Sequence, residues 1–411
     1  MNKNLFFILA GAIALVFAVL IFVLLQGSGS DSRDFDDPDL TATEDPTLPD
    51  PGSMTLEESF DPGETLTRYK KWAQYPPYSR PLHEGQVDLL DPYNAKRPPI
   101  AVLKKKAEGC TKDEAGRVTC TSPAEQSNIK CEMTPERSIS IGKGDFKVTL
   151  TCIEEGAGER GQGLRKPVAD LSTKFYRKFG RQIFGSLPPI AAGDDGTNGD
   201  ATAGDNIYTV LVRPTTQDWG YVFVEARFTV DGMEHVQRCN WFSTPYTVAT
   251  FQDGISDRQN DGSLVVSVPV TITKPGYYTF AANLQEAGGD QRFVASASEG
   301  QRFEAGQHAV DFTFFGKIIR DKKIDGPYIV REIRGRRDNS PVTPDTLRGA
   351  LESGTPIEPR KHTEPLYEYV EPLAATYTTG SYRATDFSGD EWQSPDKDRR
   401  LEYLSRIAGE E

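Results

Sequence analysis

An acidic loop, Asp194-Asp195-Gly196-Thr197-Asn198-Gly199-Asp200 running on to Asp205, is the stretch of this chain best equipped for chemistry. Counted from Asp194, oxygen donors fall at positions 1, 5, 7 and 12 (Asp194, Asn198, Asp200 and Asp205), and Gly199 stands sixth, where a calcium loop turns sharply. Hard oxygen ligands at that spacing suit Ca2+, the one cofactor the sequence suggests. The match is partial: position 3 is Gly196, position 12 is an aspartate in place of a bidentate glutamate, and no helices flank the loop. An Asx- and Gly-rich turn leading into the strand IYTVLV is the preferred reading, with calcium as its rival.

Cys110, Cys120, Cys131 and Cys152 crowd into one stretch. Their C-x9-C and C-x20-C spacings lack the close C-x2-C pairs of a zinc site, so they are disulfide candidates, which suits an oxidising compartment. Four cysteines allow three pairings; Cys110–Cys120 with Cys131–Cys152 is the expectation. Cys239, beside Trp241 and Phe242, is the odd thiol and reads as a small core hydrophobe. Gly156-x-Gly158-x-x-Gly161 matches a dinucleotide fingerprint letter for letter, but Gly163 and Pro167 follow where a helix must open, so a hairpin loop is expected. The histidines His83, His235, His308 and His362 are scattered, and neither G-x-S-x-G nor H-E-x-x-H occurs. No catalytic residue is assigned, and the chain is read as a non-enzyme.

The elements that carry these residues are strands. Leu264, Val266, Val268, Val270 and Ile272 alternate with less apolar positions, Lys274-Pro275-Gly276 turns the chain, and Tyr278, Phe280, Ala282 and Leu284 form a second row. Val222, Val224, Ala226, Phe228 and Val230 alternate likewise before the Asp231-Gly232 turn, as do His308, Val310, Phe312 and Phe314. An all-β architecture follows, with two tandem immunoglobulin-like sandwiches over 129–244 and 245–337. Ahead of them, residues 64–128 are expected to be an extended aromatic and proline strap with a cysteine-containing segment. In that strap Trp72, Tyr75, Tyr78 and Leu82 pack onto the next domain; an aromatic carbohydrate platform is the lesser alternative. Residues 338–411 are expected to be a mostly irregular tail with a short helix near 395–407, capped by Ser394 and started by Pro395. The cations from Lys317 to Arg337 read as a solvated sheet edge.

Leu5 to Leu25 is an apolar run long enough to cross the roughly 30 Å hydrocarbon core, and Lys3 precedes it while acids follow. Residues 1–26 are therefore expected to be an uncleaved signal anchor with a cytoplasmic N-terminus. An acidic, proline-rich linker without a core occupies 27–63. A cleaved signal peptide is the rival reading. The formal charge of −13 argues against nucleic acid as a partner, because phosphate binding needs a cationic surface.

The succession DDGTNGDATAGDNIYT, TPYTVATFQDGISD, DGSLVVSVPVTITKPGYYTFAANL and FFGKIIRDKKIDGPYIV resembles bacterial envelope proteins with the choice-of-anchor X type of tandem β-sandwich, over about Ile190 to Ile333. That resemblance implies an extracytoplasmic, anchored, immunoglobulin-like module without a shared catalytic site. The functional expectation is a non-catalytic, inner-membrane-anchored periplasmic β-sandwich protein acting as a binding or structural module of the cell envelope, with other envelope proteins as its partners. A secreted or surface-exposed adhesin-like protein and an enzyme with an unrecognised carboxylate site are the alternatives.

Overall fold

The computed structural model describes residues 61–410 apart from 106, 113–117, 159–161, 180–181, 188–190, 340–343 and 356–364. The expected anchor, nearly all of the expected linker, His362 and Gly161 lie outside the described residues. Among those described, no helix is long and apolar enough to cross a membrane.

The described chain opens with α1 (Pro62–Trp72), β1 (Ser79–Pro81) and α2 (Val87–Leu90). Then come β2 (Ile100–Lys105), β3 (Thr111–Lys112), β4 (Val118–Thr119), β5 (Glu125–Pro135), β6 (Ile139–Ile141), β7 (Phe146–Glu154) and β8 (Leu164–Lys166). The chain continues through β9 (Ala169–Phe179), β10 (Gln182–Leu187), β11 (Ala191–Gly193), β12 (Ile207–Val212), β13 (Gly220–Val230) and β14 (Met233–Thr244). The second half holds β15 (Ala249–Phe251), β16 (Ser256–Asn260), β17 (Ser263–Ile272), β18 (Gly276–Glu286), β19 (Phe293–Phe303), β20 (Gly306–Phe314), α3 (Gly316–Lys322) and β21 (Tyr328–Asp338). It closes with α4 (Pro344–Ser353), β22 (Tyr367–Leu373), β23 (Tyr377–Thr378) and α5 (Pro395–Ala408). The protein is mostly β, as the alternating patterns require.

Two sheets, ordered β10-β9-β13-β14-β6 and β11-β12-β7-β5-β2, enclose the first core. Trp241 is its centre, stacked between Phe146 at 4.6 Å and Phe175 at 5.8 Å, with its indole Nε1 donating to Ser140 Oγ. Val222, Val224, Ala226, Phe228 and Val230 all point into it. The Cys131–Cys152 disulfide joins directly opposed residues of β5 and β7, and Cys110–Cys120 closes the small β3–β4 hairpin. This core reaches beyond the expected limit at 129, because β2 pairs with β5 and buries Val102 completely.

The second core lies between the sheet β1-β19-β18-β21-β22 and a smaller sheet in which β17 carries β15 and β16 along one edge and β20 along the other. The alternating rows of β17, β18 and β20 fill it. In β21, Gly335 lets the Phe280 ring lie flat on the backbone: a Cβ there would meet Phe280 Cδ1 at 2.4 Å.

Both flanks of this second core correct the sequence-based expectation. Residues 62–72 form a helix instead of an extended strap, since Pro76, Pro77 and Pro81 begin only after Trp72 and restrict nothing upstream. Asp61 caps it by accepting from the Gly63 and Glu64 amides, and Pro62 occupies the first turn, where it does no harm. The strap then docks on the second core, not on the first that follows it in sequence. β1 pairs with β19, Leu82 is fully buried, and Tyr75 donates to Asp321 at 3.0 Å. The aromatics divide: Tyr75 packs against the core, while Trp72 stays 44 % exposed.

Nor is the tail mostly irregular. β22 and β23 extend the sheet from β21, and Val370, Ala384 and Phe387 are core residues. Asp257 of β16 accepts from the Tyr377 and Tyr382 hydroxyls, each at 2.5 Å, and from the Gly380 amide. Burial, and then that carboxylate, push both phenols up to about 12. α5 starts at Pro395 with Ser394 accepting from the Lys397 amide, and it packs on α1 through the buried Leu404 and Leu66.

The cations of β21 are ties, not a solvated edge, because β22 makes β21 an interior strand. Arg337 and Lys274 both reach Glu368, whose side chain has no exposure, at 2.6 Å and 3.1 Å, and Asn339 Nδ2 donates to the same carboxylate. Glu368→Ala leaves two cations facing an empty acceptor. It should cost about 3 kcal/mol, the low end for breaking a buried pair because Lys274 still reaches water. Urea denaturation measures this loss. Hydrogen exchange should show protection falling first in β22.

Candidate functional site

A cleft of about 650 Å3 lies where the outer face of β13 and β14 meets β22 and the segment leading into β2. Its walls follow from register. Tyr221 and Phe242 are direct partners across β13 and β14, on the face opposite the buried pair Val222 and Trp241. In β22, Glu368 and Val370 point into the second core, so Tyr367 and Tyr369 point the other way. The two outer faces then meet ring to ring. Phe242 lies 5.3 Å from Tyr221 at 84° and 5.5 Å from Tyr369 at 76°, and Tyr93 lies 6.1 Å from Tyr369 at 89°. Edge-to-face pairs of this kind contribute ~0.5–1.5 kcal/mol each beyond their burial.

Bonds from main-chain amides hold this arrangement. Ser138 takes the Phe242 amide on its carbonyl and donates its own amide to Tyr93 O, and the Tyr369 amide donates to Thr244 Oγ1 at 3.3 Å. Cations frame the rings: Arg177 stacks over Trp219 at 4.2 Å and Arg336 over Tyr367 at 4.5 Å. Arg97 Nη2 donates to Asn240 Oδ1 at 2.8 Å and to the Asn240 carbonyl. Burial pushes the Tyr93 and Tyr369 phenols up, with Arg334 and Arg336 respectively opposing it, so both stay neutral donors at ordinary pH. Burial lowers the Arg177 guanidinium, against the pull of Asp218 behind it.

The cleft contains none of the residues picked out from the sequence as candidate ligands. Asp194 takes the amides of Gly204, Asp205 and Asn206, and Asp205 takes that of Ile207. Asp200 takes the amide of Gly196 at 2.6 Å, and Asn198 donates to Thr197 Oγ1. The four side chains thus organise the turn itself. Among the described residues no group of three or more metal-ligating side chains converges. Gly156 and Gly158 lie in the β7–β8 hairpin, where the Gly158 amide donates to Gln162 O. Cys239 is buried, which pushes its thiol up to about 12. His235 packs on Phe228, His308 bonds Glu304 O, and His83 lies beside Lys322, so these three do not meet.

What the sequence reading passed over is the outward half of each alternating strand. Trp219-Gly-Tyr221, Phe242 and Tyr367-x-Tyr369 place aromatics at positions a sandwich gives to solvent.

No family model matches the chain, and no curated protein matches it. Among solved structures, a DUF4785 family protein from Legionella pneumophila is 12% identical, with 63% of this chain and 84% of that chain covered, at a TM-score of 0.36. A chain of a cytokine receptor complex is also 12% identical, over 62% of this chain and 98% of that one, at 0.24. Likenesses at these scores carry no argument about this protein.

Asp194→Ala removes the acceptor of three amides and should destabilise the first core by ~1–2 kcal/mol in denaturant titration. If the carboxylates serve the turn alone, millimolar calcium leaves the melting temperature of the unaltered protein unchanged. A rise that Asp200→Ala abolishes would establish the ion instead.

Proposed function

We propose that this chain is a non-catalytic binding module of the bacterial cell envelope, made of two tandem immunoglobulin-like sandwiches, which takes its ligand in the aromatic cleft where they meet. The cleft carries the proposal. Ligand sites favour junctions of this sort, with apolar and aromatic walls and a few convergent polar groups, in volumes of roughly 300–1,000 Å3. Among the described residues its lining includes no carboxylate, imidazole or thiol. Binding therefore has more support there than acid–base or nucleophilic catalysis.

The envelope part of the proposal draws on other features. Two disulfides suit an oxidising compartment. The apolar run of residues 5–25, preceded by Lys3, suits an inner-membrane anchor with periplasmic sandwiches. The resemblance to choice-of-anchor X proteins points the same way.

The test has two parts. Denatured but unreduced protein from the membrane fraction should bind one maleimide, at Cys239, and retain its intact N-terminus by mass spectrometry. A photo-crosslinking amino acid at Tyr221, 58 % exposed and on the cleft wall, should capture an envelope component in living cells; one at Val118, exposed on β4 and not among the cleft's lining residues, should not. Equal capture at both positions would remove the cleft from the proposal, and a mature N-terminus beyond Gln26 would remove the anchor.

A further inference from the structure

The smaller sheet of the second sandwich ends on β20. Its ladder with β17 runs from Leu264–Phe314 to Ile272–Gly306 without a bulge, and among the described residues no strand pairs with its other side. Which main-chain groups face that side follows from β17. The Gln252 amide donates to Pro269 O and the Thr273 amide to Val248 O, each at 2.9 Å, so the odd-numbered residues of β17 turn their groups towards β15, away from β20. In an antiparallel ladder, opposed residues either bond each other or both turn away. Ala309, opposite Pro269, therefore turns its amide and carbonyl outward, as do Gln307, Asp311 and Thr313 opposite Thr271, Ser267 and Val265. Phe315 is next in that series, and its amide already donates to Ser79 Oγ at 3.0 Å. The open edge is thus Gln307 to Thr313. Gln307, Ala309 and Asp311 are exposed, and neither proline, lysine nor bulge, the usual protections of an edge, interrupts the strand.

We propose that β20 pairs antiparallel with β20 of a second copy of this chain, about a two-fold axis through Val310. The open stretch is centred on that residue. Pairing there sets Gln307 against Thr313 and Ala309 against Asp311, and it uses every outward group. No like charges are opposed. The Asp311 carboxylate meets a methyl group, and its charge is already matched by Arg258 Nη2 at 2.7 Å, with Ser267 Oγ donating as well. An isologous contact requires such self-complementarity. A foreign strand is less well served, because strand addition draws its specificity from side-chain pockets, and Val310, Phe312 and Phe314 are spent on the sandwich's own core.

Cysteine cross-linking of the full chain in native membranes tests this. Gln307→Cys and Thr313→Cys variants, expressed singly and together, are oxidised with copper phenanthroline and resolved on non-reducing gels. The two cysteines reach disulfide range only between copies, since within one chain the strand holds them far apart. The mixture should give a cross-linked dimer and neither variant alone should, because like positions lie at opposite ends of the paired stretch. Adding Ala309→Pro to both removes an amide that the fold does not use. The melting temperature should hold while the cross-link falls about tenfold or more, for two lost bonds between copies. No dimer from the mixture, an equal dimer from either variant alone, or disulfides to another protein in place of a second copy overturns the inference. The cysteine pair decides by itself if the proline variant fails to fold.

Discussion

A single buried carboxylate fixes the geometry on which the rest of the second half depends. Glu368 has no exposed surface and sits among Lys274, Arg337 and Asn339. A carboxylate taken out of water is tolerated only where paired cations and donors satisfy its oxygens. Those partners come from the β17–β18 turn and the end of β21, so β22 is held in one register. A shift by one residue would turn Glu368 outward and carry a tyrosine inward. The same register sends Tyr367 and Tyr369 to the opposite face. The interaction that closes the second sheet therefore also builds one wall of the cleft.

Closure of that sandwich draws on both ends of the described chain. β1 covers β19 and β22 covers β21, so the sheet's outer strands come from segments almost three hundred residues apart. α1 and α5 then pack together, with Lys70 and Glu410 paired at 2.8 Å. That surface pair is worth little by itself. Its neighbours Leu66 and Leu404, each 1 % exposed, supply most of the adhesion through apolar burial. Unpaired sheet edges invite association, and in this larger sheet the chain's own flanking segments occupy them.

Legibility in the sequence divided along the same line. Rows with a period of two, such as Leu264 to Ile272 and Tyr278 to Leu284, identified buried faces because alternation is a local property. The Ser394–Pro395 helix start was legible for the same reason. Partners distant in sequence were not. Nothing near Tyr367 says that it will meet Phe242, and nothing near Arg337 says that a tail strand will bury it. The cations of β21 looked solvated because β22 was missing from the picture, and the strap was assigned to the nearer sandwich because sequence proximity was the only guide. The acidic loop left two readings open, a turn and its rival calcium. Oxygen spacing is shared by cation sites and Asx turns, and only the directions of the carboxylates separate them.

The aromatic cleft has a physical logic independent of the role proposed for it. Phe242 stands between Tyr221 of its own sheet and Tyr369 of the other, so ring packing couples the faces that form the cleft. The Tyr369 amide, donating to the Thr244 hydroxyl, ties one face to the other, and the Phe242 amide on Ser138 O holds Phe242 in its own sheet. A site made this way is preorganised, because its rings have few rotatable bonds and its walls belong to paired strands. The cost of such rigidity is narrow adaptability. For the proposed binding role, that fixed spacing favours one well-matched ligand over accommodation of many unlike partners.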